Sequence, residues 1–157
     1  MNATTPARWQ PFFWASAIFT AVGLLSGLFY REFTKHYEFE GRTQLAVAHT
    51  HLLVLGTVMG LLFLAVEQLF RLSRSHLFWA FVAPWLAGTT ITSTMLVIKG
   101  SLQVSGSTAA QSKALAGIAG LGHMTLTAAF VLFFLALLGR LHATNGSPSA
   151  AAPATSE

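Results

Sequence analysis

Four stretches of this chain carry no charged residue: Phe12 to Tyr30, Leu45 to Val66, His76 to Ile98 and Ala114 to Gly139. Each is long enough to cross a bilayer core of about 30 Å as a helix rising about 1.5 Å per residue. Four buried helices of a soluble bundle would show a polar outer stripe, and these runs show none. The chain therefore reads as all-α: an integral membrane antiparallel four-helix bundle with spans at about 11–30, 45–70, 76–98 and 114–139.

Composition narrows the chemistry. The 157 residues are 54% hydrophobic and 9% charged, a balance far from that of soluble domains. There is no cysteine, which excludes disulfides, thiolate-bound metals, iron–sulfur clusters and covalent c-type haem. Any metal must be held by His, Met or oxygen ligands. The formal net charge is +4, but the nine Lys and Arg residues are scattered over the span ends. They read as interface anchors, and no nucleic-acid partner is expected.

The first run follows Arg8, as a signal peptide would, yet it is too long for an h-region and lacks a small-x-small exit. It is expected to stay as a span. Residues 1–142 form the expected membrane domain. Residues 143–157, rich in Ala, Pro, Ser and Thr, are expected to be disordered. The sequon Asn145-Gly146-Ser147 falls in that tail and carries little information. Short connections put Arg8, Arg71, Arg74 and Arg140 on one side, and Arg31, Lys35, Arg42, Lys99 and Lys113 on the other. Four basic residues against five do not set an orientation.

Inside the second span, AHTHLLVLG places His49 and His51 about 6 to 9 Å from its start. His123 lies about 14 Å into the fourth span and enters from the same side. All three share one half of the membrane. Ionisable groups there are costly and face a partner, so they mark a functional site or hydrogen-bond between helices. Thr50, Thr125, Thr127 or the hydroxyls of GTTITSTM are the available partners for the second case. Two residues along a helix turn through about 200°, so His49 and His51 address opposite faces and cannot chelate one ion.

On a straight helix Gly56 and Gly60 follow His49 on its own face. Ala116, Ala119 and Gly120 precede His123 on its face, and Thr127, Phe130 and Phe134 continue it. Small residues beside an axial ligand suit a flat, wide group such as haem b, with Arg31, Lys35, Arg42 or Lys113 available to its propionates. The same glycines, with Gly23 and Gly27, also fit close helix packing. His36, His76 and His142 lie at loops or span ends. Met95 and Met124 read as packing, Pro84 as a kink, and Glu67 as a snorkelling or Arg71-paired acid.

The segments GLLSGLFYREFTK (Gly23 to Lys35), GRTQLAVAHTHLLVLG (Gly41 to Gly56) and GIAGLGHMTLTAAFVLFF (Gly117 to Phe134) resemble a family of small four-span bacterial membrane proteins without assigned function. That resemblance covers nearly the whole chain and implies a bacterial cytoplasmic-membrane protein, but no activity. Locally, HTHLLVLG is similar to the HxH helix of the catalytic subunit of haem–copper oxidases and nitric oxide reductases. The similarity implies that His49 corresponds to a high-spin haem ligand and His51 to a low-spin one. His123 has no counterpart there, and the larger set of spans and the three-histidine copper site are missing.

The expectation is a membrane b-type haem protein that holds haem b through His51 or His49 and His123, for electron transfer or diatomic gas binding. Gly56, Gly60 and Arg42 complete the candidate set. The alternatives are a zinc or copper site on the same three histidines, a cofactor-free structural subunit, or a minimal haem oxidoreductase. The lipid bilayer is the expected environment, with a homodimer and a redox partner as further candidates.

Overall fold

A computed structural model describes residues 9–145. Helix α1 spans Gln10–His36, α2 Leu45–Phe70, α3 Phe78–Val104 and α4 Lys113–Asn145. All four are long and apolar enough to cross a membrane. The chain is a multi-pass membrane protein built as an all-α four-helix bundle. We call the end holding Gln10, Phe70 and Phe78 proximal, and the end holding His36, Leu45, Val104 and Lys113 distal.

All four helices outrun their charge-free runs, α2 by the turn from Glu67 to Phe70. α1 continues through Arg31, Glu32 and Lys35, and the basic Lys35 and His36 in its last turn suit the negative end of the helix dipole. Glu38, at φ 47°, then turns the chain away. α3 starts at Phe78 rather than His76 and runs on to Val104, passing through Pro84. α4 reaches Asn145, so the first residues of the expected tail are helical. The rest of that tail, most of the sequon and Arg8 lie outside the described residues.

α2 ends where Arg71 adopts a left-handed conformation (φ 51°, ψ 55°) and its N–H donates to the Glu67 carbonyl at 2.8 Å. The Glu67 side chain is buried and accepts the Ser73 N–H at 2.8 Å. It neither snorkels nor pairs with Arg71. Among the described residues the one ion pair is Arg31–Glu32, at 3.7 Å.

The proximal half is an aromatic core that ties all four helices together. Phe63 of α2 touches Phe12 of α1 (5.9 Å between ring centroids), Phe81 and Trp85 of α3 (5.7 and 5.2 Å) and Phe133 of α4 (4.7 Å). Edge-on and tilted pairs at these distances add about 0.5–1.5 kcal/mol each beyond their buried area. Toward the distal end small residues replace rings. Gly100 of α3 lies against the Leu45 backbone of α2, and the Thr43 hydroxyl donates to the Gly100 carbonyl at 2.9 Å.

Residues Leu52–Val58 of α2 are π-helical. Trp85 Nε1–H donates to the Leu55 carbonyl within this segment at 2.8 Å. In lipid a disturbed backbone ladder must find partners inside the protein. The indole supplies one, and the Thr20 and Thr57 hydroxyls share a bond of 2.9 Å between α1 and the same segment.

A methyl group at Gly100 would run into the Leu45 backbone, whereas one at Gly139 would meet open space. Gly100→Ala is therefore expected to destabilise the protein by about 1–3 kcal/mol. Gly139→Ala should be neutral or stabilising by about 0.5–1 kcal/mol. Denaturant titration in micelles checks both, and equal behaviour of the two variants would contradict the packing described.

Candidate haem-ligand site

The distal half of the bundle holds His49, His51 and His123, and helix geometry gives them three different surroundings. His49 lies against α1, its Cβ and Cγ 3.8 Å from where a methyl on Gly27 would sit. Its Nδ1 is buried without a hydrogen-bond partner. His51 turns away from α1 and lines a shallow hollow with Thr50, Val54 and Leu55. Its Nδ1 lies 3.0 Å from the Val47 carbonyl. His123 is exposed on α4, with Nδ1 2.9 Å from the Ala119 carbonyl.

A carbonyl oxygen only accepts, so Nδ1 carries the proton in both His51 and His123. That leaves Nε2 as a lone-pair donor on each ring. An Nδ1–H to carbonyl bond is the usual device that fixes tautomer and ring orientation in a metal-ligating histidine. His49 has no such bond.

The π-helical segment decides which way His51 faces. On a straight α-helix Phe63 would lie about 120° around the axis from His51; the extra residue of a π-turn cuts this to about 20°. The face of α2 that carries Phe63 onto α4 thus carries His51 as well. On α4, His123 and Phe130 are seven residues apart and about 20° apart in azimuth. Phe63 and Phe130 meet at 6.3 Å. Distal to that aromatic contact, His51 and His123 thus lie on the helix faces that carry Phe63 and Phe130, and the hollow beside His51 is lined by residues of α2. The two histidines lie about 9 and 15 Å along their helices.

Small residues surround His123. Gly117 and Gly120 adjoin open space, Ala116 is exposed and Ala119 half-buried. Gly56 and Gly60 serve a different purpose. Gly56 fits under the Phe19 ring of α1, and Gly60 under the Ser16 hydroxyl and the edge of Trp85. The space they leave is filled by protein, which corrects their reading as a floor for a wide ligand. The candidate hydroxyl partners also turn elsewhere. Thr50, Thr125 and Thr127 donate to the carbonyls of Val47, Leu121 and His123 within their own helices.

Arg42 stands at the distal end, exposed, in a cavity of about 490 Å³ that it shares with Lys99, Gln103 and Gln111. The sequence placed Lys99 on this side but not among the candidate anion partners, because the third span was ended at Ile98, whereas α3 continues through Lys99 to Val104. Among the described residues no three His, Asp or Glu side chains converge as a metal-holding group. The three histidines therefore do not form one multidentate ion site. His51 and His123, each with Nε2 left as a lone-pair donor, are the side chains that could hold a haem, which would need only ligands to its iron from the protein.

Histidine ¹⁵N NMR of the protein without added haem tests the tautomers. His51 and His123 are expected as Nδ1–H tautomers. Nε2–H at either position would remove the geometry described.

No curated protein and no solved structure matches this chain. Residues 10–140 match a family described as a protein of unknown function, DUF2871. With most of its length inside that match, the four-helix membrane chain belongs to the DUF2871 family.

Proposed function

We propose that this protein is a membrane b-type haem protein in which His51 of α2 and His123 of α4 would hold the haem iron. The observation that carries the reading is a matched pair of backbone bonds: each ring donates Nδ1–H to the carbonyl four residues back and keeps Nε2 free. The open space at Gly117 and Gly120 supports it, as does the azimuth that aligns His51 with Phe63 and His123 with Phe130, two rings that meet. Arg42 is the candidate basic residue for a propionate at the distal surface.

Haem held by two imidazoles supplies one-electron transfer. The chain's own part is to hold ring orientation and keep water out. The backbone bonds restrain both imidazoles, and the aromatic cluster around Phe63 joins α2 to α4 on the proximal side of both histidines. Electron exchange with a redox partner follows as the proposed activity. A zinc or copper site is less well supported, since it would call for additional ligands and no third one converges among the described residues.

The test is an absorption spectrum of detergent-purified protein expressed with adequate haem, oxidised and reduced. A Soret band is expected. His51→Ala and His123→Ala should each abolish it or convert it to a high-spin form, while His49→Ala should leave the band position unchanged. Absence of a Soret band, or an unchanged spectrum in either ligand variant, would refute the proposal.

A further inference from the structure

The distal cavity shared by Arg42 and Lys99 is electrostatically incomplete. It is lined by Phe39, Arg42, Lys99, Gln103, Ser107 and Gln111, together with two small residues, and contains no carboxylate. The only ion pair among the described residues lies elsewhere, at Arg31–Glu32. Arg42 and Lys99 thus have no carboxylate within ion-pair distance among those residues; Glu38 and Glu40 line a neighbouring hollow on the other side of Phe39. Two cations lining one cavity repel each other unless an anion joins them.

Gln103 completes the case. Its Oε1 accepts the Gln44 backbone N–H at 2.8 Å and lies 3.2 Å from the Thr43 hydroxyl. A backbone N–H can only donate, so the amide orientation is fixed with oxygen toward α2. The Gln103 Nε2 group can therefore only donate, and it has no acceptor among the described residues. The frame is stiff, because Thr43 is tied to the Gly100 carbonyl and Gly100 lies against Leu45. One amide and two cations, all donors, line one pocket at the end of two membrane-spanning helices.

We infer that Arg42, Lys99 and Gln103 form an oxyanion site at the distal membrane surface. The site takes a carboxylate or phosphate, with the lysine and guanidinium supplying charge and the Gln103 amide a directed hydrogen bond. Two sources carry that chemistry in this setting: the phosphate of an anionic membrane lipid, and a propionate of the haem proposed above. The site itself follows from side chains that require no haem.

The experiment uses the full chain in neutral detergent, titrated with phosphatidylglycerol or with phosphatidylcholine of the same acyl chains. Retained lipid is read by native mass spectrometry, and the thermal midpoint is followed by circular dichroism. Phosphatidylglycerol is expected to be retained preferentially and to raise the midpoint. Lys99→Gln and the double variant Arg42→Gln/Lys99→Gln should weaken that retention by about fivefold or more, with helicity unchanged. Lys99→Arg should keep most of it.

A second arm repeats the titration on haem-loaded protein. Undiminished phosphatidylglycerol binding assigns the site to a lipid phosphate, and displacement by haem assigns it to a propionate; either outcome supports the oxyanion site. Equal retention of the two lipids, or retention unchanged in the double variant, would overturn it. Failure of the haem proposal leaves the lipid arm readable, so the two failures are distinguishable.

Discussion

A polar group inside a bilayer has to find its partner within the protein, because lipid offers none. Much of the local geometry here follows from that constraint. His51 and His123 turn one nitrogen back onto their own helices. Thr50, Thr90, Thr125 and Thr127 do the same with their hydroxyls. Trp85 reaches across to the π-helical segment of α2, and Glu67 holds the Ser73 backbone where the chain turns. Once these bonds are made, the uncommitted polar atoms stand out. They include the two Nε2 lone pairs, the buried His49 Nδ1, the buried hydroxyls of Ser16, Ser26, Thr89, Thr92 and Ser93 and, at the distal surface, the donors of Arg42, Lys99 and Gln103.

The bundle divides its labour along its length. Phe12, Phe63, Phe81, Trp85 and Phe133 form a proximal aromatic core that fixes how the helices cross. Beyond it, the distal half carries the histidines, with open space beside Gly117 and Gly120 of α4. The π-turn couples the two halves. It lets Phe63 pack onto α4 while His51 keeps about the same azimuth, which an unbroken α-helix would not permit.

The spans and the antiparallel bundle were legible because a soluble helix of such length would need charged or polar residues on its outer face, and these runs have no charge at all. Span ends were less legible. The last turns of α1 and α3 use charged and polar residues, Arg31 to His36 and Lys99 to Val104, that leave the apolar run while remaining helical. At the site, the histidines and their shared membrane half could be read from spacing and connectivity. That His49 and His51 face apart was legible too; what each one faces was not, since it depends on Gly27 of α1 and on a π-segment that has no sequence signature. Gly56 and Gly60 were open to two readings, and Phe19, Ser16 and Trp85 decide for helix packing. Gln103 carried no signal, because its role rests on bonds to Thr43 and Gln44, about 60 residues earlier in the chain.

The central claim is that two imidazoles, one from α2 and one from α4, ligate the same haem. Low-temperature electron paramagnetic resonance of the oxidised, haem-loaded protein addresses it most directly. A low-spin ferric signal of bis-imidazole type is expected as the dominant species. A dominant high-spin signal from the correctly folded protein would contradict it.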